Sequence, residues 1–263
     1  MSRKFSSVQG KTRTLGILTG IFMIPIIPTQ SHAQLYQGLR VSVKFPPAED
    51  LGAPARTSGA GSRGTVCGNQ SLSNGLMSNN LNQKQTYLTA LTPENNVLTT
   101  VAPNPTVYVQ VPKAINKKAE FRVIDKETET VVYEKIFPIV NTPGIVKISM
   151  PKTVNLAASK TYQWQFLVIC NPMDREADKA LEGWIKRTSL SKKQAARIRW
   201  LKANSVEQAK LYAEYGIWHE TLKILDQLRD RDSQAQAEWI ELLNSVKLEK
   251  LVEISSSSPK PQY

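Results

Sequence analysis

Histidine, cysteine and long apolar runs are scarce in this chain of 263 residues, and each shortage closes off a class of chemistry. There are two histidines and two cysteines. His32 falls in an N-terminal export signal, so any Ser-His-Asp or Cys-His mechanism would have to use His219. No Gly-X-Ser-X-Gly elbow occurs to supply its nucleophile. Set in Gly216-Ile217-Trp218-His219-Glu220, the residue reads as a half-exposed histidine at the start of a helix. Two Cys and one His do not make a zinc set, so no metal or other cofactor is expected. The glycine-rich stretch 58–64 has neither a preceding strand nor the Gly-Lys-Ser/Thr ending of a phosphate loop.

What is present begins with an export signal. Arg3, Lys4, Lys11 and Arg13 precede an apolar run at 15–28, and Ser31-His32-Ala33 offers the small residues that signal peptidase needs. Cleavage is expected between Ala33 and Gln34. The run is broken by Pro25 and is shorter than the roughly 18 apolar residues of a spanning helix, and no later segment looks transmembrane. No cysteine opens the mature chain, which argues against a lipoprotein anchor. The expected location is therefore the periplasm or the cell exterior. Removing residues 1–33 leaves 30 basic against 22 acidic residues, a surplus of +8 over 230 residues. Such a surface suits an envelope protein or an anionic polymer, and the compartment argues against nucleic acid.

Cys67 and Cys170 both lie in the exported part, where oxidising conditions favour a bridge. Closing a loop of this length contributes roughly 4 to 5 kcal/mol in the chain-entropy account. The alternative is two isolated thiols, one buried and one reactive.

Composition divides the chain into five parts. After the signal (1–33), residues 34–66 are rich in Gly, Pro, Ala and Arg and read as a flexible leader. Residues 67–188 read as a β-sandwich domain, with strands expected at 86–91, 106–111, 119–124, 130–137, 144–150, 161–170 and 181–187. The clearest alternation puts Tyr162, Trp164, Phe166, Val168 and Cys170 on one face of a central strand. From 189 to 254 the period becomes helical. Ser205-Val206-Glu207-Gln208 is a capping-box pattern, Gly216 suits a left-handed helix end, and a further helix begins near Asp232 or Ser233. Residues 255–263 form a Ser-rich tail. The expected class is α+β: an antiparallel Ig-like β-sandwich followed by a small helical subdomain.

Several stretches carry a family resemblance over roughly residues 59–251. They include Arg63-Gly64-Thr65-Val66-Cys67, Asn104-Pro105-Thr106-Val107-Tyr108-Val109, Ile169-Cys170-Asn171-Pro172, Glu182-Gly183-Trp184-Ile185 and Tyr212-Ala213-Glu214-Tyr215-Gly216-Ile217-Trp218. In order and spacing the chain resembles the cyanobacterial family called domain of unknown function 928. Val66 stands where that family often has proline. The resemblance implies export in a cyanobacterium and a bridge-compatible cysteine pair; it supplies no reaction and no catalytic residue. Separately, Ala209, Tyr212, Gly216, Trp218 and Leu222 resemble one tetratricopeptide hairpin, with Thr221 where a small alanine is usual. A stack needs about three repeats to be stable, so a lone hairpin has to pack on something else.

Four candidate sites follow. Lys192, Lys193, Arg197, Arg199 and Lys202 form a basic cluster at the start of the helical part, either an anionic-partner patch or a solvated helix face. Trp218 is a candidate partner contact on the hairpin. Asp174, Glu176 and Asp178 space three carboxylates two apart, which could offer oxygen ligands to calcium. They lack the glycine and distal glutamate of an EF-hand loop, and Asp174 equally suits the cap of a short helical turn. Tyr87, Tyr108, Tyr133, Trp164 and Trp184 lie in or beside strands, where those that face outward could stack on sugars. The functional expectation is a non-enzymatic binding or interaction module. The rivals are a carboxylate-dependent hydrolase of envelope polymers and a structural factor in envelope assembly or secretion.

Overall fold

A computed structural model describes residues 42–47, 49–56, 67, 87–114 and 117–252. The expected export signal and cleavage point, the tail 255–263 and most of the segment before Cys67 lie outside the described residues. Eight strands form in chain order: β1 (Thr89–Ala90), β2 (Val97–Thr100), β3 (Thr106–Val111), β4 (Lys118–Asp125), β5 (Val131–Pro138), β6 (Gly144–Ser149), β7 (Thr161–Ile169) and β8 (Lys179–Arg187). The α-helices that follow among the described residues include α1 (Lys192–Trp200), α2 (Val206–Glu214), α3 (Trp218–Leu228) and α4 (Ser233–Ser245). A single 3-10 turn, Arg175–Ala177, joins β7 to β8. The fold is therefore mixed α+β with two sheets, one in the order β1-β3-β6 and one in the order β2-β8-β7-β4-β5.

The expected alternation in β7 is present: Tyr162, Trp164, Phe166 and Val168 are buried, while Thr161, Gln163, Gln165 and Leu167 are only partly covered. As the middle strand of five, β7 pairs antiparallel with both β4 and β8. Two corrections concern the sheets. β2 was not among the expected strands, and it pairs parallel with β8, from Val97 opposite Trp184 to Thr100 opposite Arg187. The larger sheet is thus mixed rather than antiparallel. Val97-Leu98-Thr99-Thr100 escaped notice because it is buried on both faces and shows no alternation.

The helices begin where their caps dictate. Ser191 accepts from the Gln194 N–H while Gln194 reaches back to the Ser191 N–H, a complete capping box. Ser205 caps α2 through the Gln208 N–H, but the Gln208 side chain bonds the Asn204 N–H instead of completing the box. Gly216 takes φ +67° between α2 and α3, and Asp232 caps α4 by accepting from the Gln234 and Ala235 N–H groups.

Strands and helices share one buried cluster that includes Trp164, Phe121 and Phe166 from the sheet and Trp218, Leu222 and Trp239 from the helices. Fully burying side chains of this size contributes roughly 1.5 to 3 kcal/mol each, which makes this cluster the main source of cohesion. A third correction concerns the leader. Part of the stretch expected to be a flexible leader is anchored: among its described residues, 42–47 and 49–56, Val43 is 1% and Phe45 8% exposed. The Asn95 and Asn96 amides donate to the Glu49 and Pro54 carbonyls, each at 2.8 Å. Arg56 donates to the Thr92 and Lys247 carbonyls. Glycine and proline content misled here, because Val43 and Phe45 supply enough apolar area to hold an otherwise polar stretch. Cys67 and Cys170 are joined in a disulfide, with Cα atoms 5.1 Å apart, 103 positions apart in sequence.

Candidate functional site

Of the nine residues of α1, only Ile198 is buried. A helix turns about 100° per residue, so Trp200, two positions on, is carried to the opposite side. There it is 88% exposed. Lys192 and Lys193 occupy the first turn, where no acidic residue is present. Cations at that end oppose the helix dipole by roughly 0.3 to 1 kcal/mol apiece, so helix stability does not explain them. Arg199 and Lys202 continue the positive surface; all four are exposed, and none is ion-paired among the described residues. Between Lys193 and Glu207 there is no acidic residue at all.

Arg197 behaves differently from the rest of the cluster. Its guanidinium meets the Glu214 carboxylate at 3.3 Å and lies 5.7 Å from the Tyr215 ring centre. The hydrogen bond to Glu214 raises its pKa, with Tyr215 adding to the effect. Arg197 therefore links α1 to α2, while the other four cations have no carboxylate partner among the described residues. Beside Trp200 runs an open groove of about 690 Å³, lined also by Arg197, Lys44, Glu207, Glu214 and the buried Val43 and Leu211.

Two other sequence candidates are corrected. Trp218 is fully buried: its indole N–H donates to the Leu91 carbonyl at 2.8 Å, and its ring meets Phe45 edge-on at 5.0 Å. It is a core residue that no partner reaches. His219 does start a helix, but it is 2% exposed rather than half-exposed. Its Nε2 accepts the Thr106 N–H at 3.0 Å, which puts the ring proton on Nδ1, facing Thr100 Oγ1 and Glu220 Oε1 at 3.2 Å each. The Thr100 hydroxyl donates to Glu220, not to the ring. Thr100, His219 and Glu220 have the composition of a triad but the connectivity of a latch, fastening α3 to β2 and β3. Burial pushes the Glu220 carboxyl up, and hydrogen bonds from His219 and Thr100 outweigh it to leave the pKa below the usual value.

Two of the three carboxylates proposed for calcium, Asp174 and Asp178, are engaged elsewhere. Asp174 accepts the Glu176 N–H and caps the 3-10 turn. Asp178 accepts the Cys170 N–H at 3.0 Å and pairs with Arg175 at 2.5 Å. Arg175 also reaches Glu120, 1% exposed, at 2.7 Å, so the loop after the disulfide is tied down to β4. Among the described residues no group of three His, Cys, Asp or Glu side chains is placed to hold a metal ion.

Of the strand aromatics, Trp164 and Tyr108 are buried, and Tyr133 and Trp184 are half-buried, the latter beneath Lys126 Nζ at 3.8 Å. Tyr87 is more open, at 36% exposed. The sequence reading passed over Trp200. The capping box at Ser191 and the offset from Ile198 were the signal for it. A second apolar exposure, Val131, Val132 and Ile136 on edge strand β5, is interrupted by Glu134 and Lys135 and closed by Pro138, features that blunt a sheet edge.

A family model described as Domain of Unknown Function (DUF928) matches residues 58–256. The chain belongs to the DUF928 family. A comparison with curated proteins finds no match. The DUF928 match takes in the disulfide, every strand and helix described above, and the whole α1 face. It leaves out Val43 and Phe45, which nevertheless pack on the family domain.

Proposed function

We propose that this chain is an exported, non-enzymatic binding module of the periplasm or cell surface, and that its docking surface is the α1 face. The partner is an anionic polymer, with an acidic patch on an envelope protein as the equivalent chemistry. The observation that carries this reading is an indole 88% exposed beside four exposed cations with no carboxylate partner among the described residues. A flat aromatic ring stacks on apolar sugar faces while lysine and arginine meet carboxylate or sulfate groups. The finer architecture belongs to the same proposal: an Ig-like sandwich widened by the parallel strand β2, and a tetratricopeptide-like hairpin made of α2 and α3.

A hydrolase reading gains no support from the carboxylates whose pKa clearly departs from the ordinary. Asp125 is held down by the Glu127 N–H and Lys160, and Glu220 also lies below its usual value. A general acid needs displacement in the other direction.

The test is binding of the purified, signal-free chain to an immobilised acidic polysaccharide, with a neutral one as control. Affinity should fall steeply with salt, and replacing Lys192, Lys193, Arg199 and Lys202 by alanine should abolish it. Binding that is indifferent to both salt and those substitutions overturns the proposal.

A further inference from the structure

Residues 42–47, Ser-Val-Lys-Phe-Pro-Pro, form no strand or helix, yet they are held like a ligand. The Val43 N–H donates to Glu238 Oε2 at 2.6 Å across 195 positions of sequence, and the Ser42 hydroxyl reaches the same oxygen at 3.4 Å. Glu238 belongs to α4, is 6% exposed, and takes Lys210 of α2 on its other oxygen at 2.8 Å. Two positions on, the Phe45 N–H donates to the Ser245 hydroxyl at 3.2 Å, which itself donates to the Leu242 carbonyl at 2.7 Å. Both receivers on α4 are thus held in place by a second bond.

Side chains alternate to match. In an extended segment, residues i and i+2 share a face. Val43 and Phe45 are buried against the helices, with Phe45 meeting Trp218 edge-on, while Lys44 between them is exposed. Pro46 follows and lies over the α2–α3 turn, its Cγ 4.0 Å from where a Cβ on Gly216 would sit. Two consecutive prolines favour extension and reduce the entropy lost on docking. Main-chain donors read by fixed acceptors, alternate side chains read by apolar contacts, and a stiff proline end are the elements of extended-peptide recognition.

We infer that the face formed by α2, α3 and α4 is a peptide-binding groove for extended segments of the pattern aliphatic, any residue, aromatic, proline, and that residues 42–47 are its resident, exchangeable occupant. Hydrogen bonds from the segment's own N–H groups run to side chains rather than to a strand, so it opens without breaking a sheet. Val43 and Lys44 also line the groove at α1, but the probe here is a peptide and not an acidic polymer, so the two readings fail separately.

The experiment uses the full chain with Val43→Ser and Phe45→Ser, which vacates the groove, and a fluorescent peptide with the sequence of residues 41–48. Saturable binding to the vacated chain, at least tenfold tighter than to the unsubstituted one, is expected. Adding Glu238→Ala, or using a peptide with alanine in place of the phenylalanine, should weaken it at least tenfold. A vacated chain that keeps a cooperative unfolding transition but does not bind the peptide overturns the inference. If the vacated chain fails to fold, hydrogen exchange of the unsubstituted chain decides. Val43 and Phe45 amides exchanging at least a hundredfold faster than those of β7 support an occupant that leaves; exchange at the β7 rate makes the segment a fixed part of the core and overturns it.

Discussion

Replacing His219 by alanine is the sharpest test of the latch between helices and sheets. The substitution strips the Thr106 N–H of its acceptor, 3.0 Å away in a site that is 2% exposed. Leaving such a donor unpaired costs about 1 to 3 kcal/mol. Glu220 loses the ring N–H at 3.2 Å, and a hydrogen bond to a charged group is worth about 1.5 to 3 kcal/mol. Thr100 and the Val101 and Ala102 N–H groups still hold the carboxylate, so the lower end of that range applies. Together with the space vacated by the ring, a loss of about 3 to 5 kcal/mol is expected. At a urea dependence of about 2 to 3 kcal/mol per molar, the midpoint falls by roughly 1 to 2.5 M. Urea titration followed by tryptophan fluorescence measures this directly. The acid side of the stability curve gives a second reading. Glu220 has a folded pKa below its ordinary 4.5, so it contributes stability above that pH and loses it as the pH drops through the lower folded value. Without His219 the carboxyl titrates higher, and the acid-unfolding midpoint should move up. A urea midpoint within about 0.2 M of the parent chain would refute the latch, since exposed sites rarely cost more than about 0.5 kcal/mol.

Cys170→Ser should destabilise by about 4 to 5 kcal/mol, the chain-entropy value for a closed loop of 103 positions, measured as the difference in urea unfolding between the variant and the oxidised parent chain. Gly183→Ala should cost about 1 to 3 kcal/mol in thermal or urea unfolding. Its Cβ would sit 2.7 Å from Asn96 Oδ1 and 2.8 Å from the Trp164 ring, and neither neighbour can retreat: both are fully buried. Trp200→Ala should leave the unfolding midpoint within about 0.5 kcal/mol of the parent while reducing retention on an acidic polysaccharide column, because the ring is 88% exposed.

Local chemistry made the legible parts legible. Strand β7 announced itself by strict alternation, and the starts of α2 and α4 by Ser205 and Asp232. The disulfide followed from two cysteines in a chain that reads as exported, and the Asp174 cap from its place before a short turn. What stayed hidden depends on partners far away in sequence. Val97–Thr100 looks like any apolar tetrapeptide until β8 lies beside it. His219 and Trp218 sit near a helix start that could have faced water; only the docking of α3 on β2 and β3 buries them. The packing of Val43 and Phe45 needed Glu238 and Ser245, some 200 positions downstream. Trp200 was readable from its angle to Ile198, but only once the boundaries of α1 were known.

The parallel pairing of β2 with β8 also dictates an order of events. Synthesis, N-terminus first, presents β2 about 80 positions before β8, its one neighbour in the larger sheet among the described residues, arrives. Until Arg187 has emerged, Val97 to Thr100 have no strand to join, and the threonines among them cannot yet receive α3. Such distant closure slows folding and leaves apolar segments uncovered in the meantime. The larger sheet thus stays incomplete until Arg187 has been made, about seven-tenths of the way along the chain.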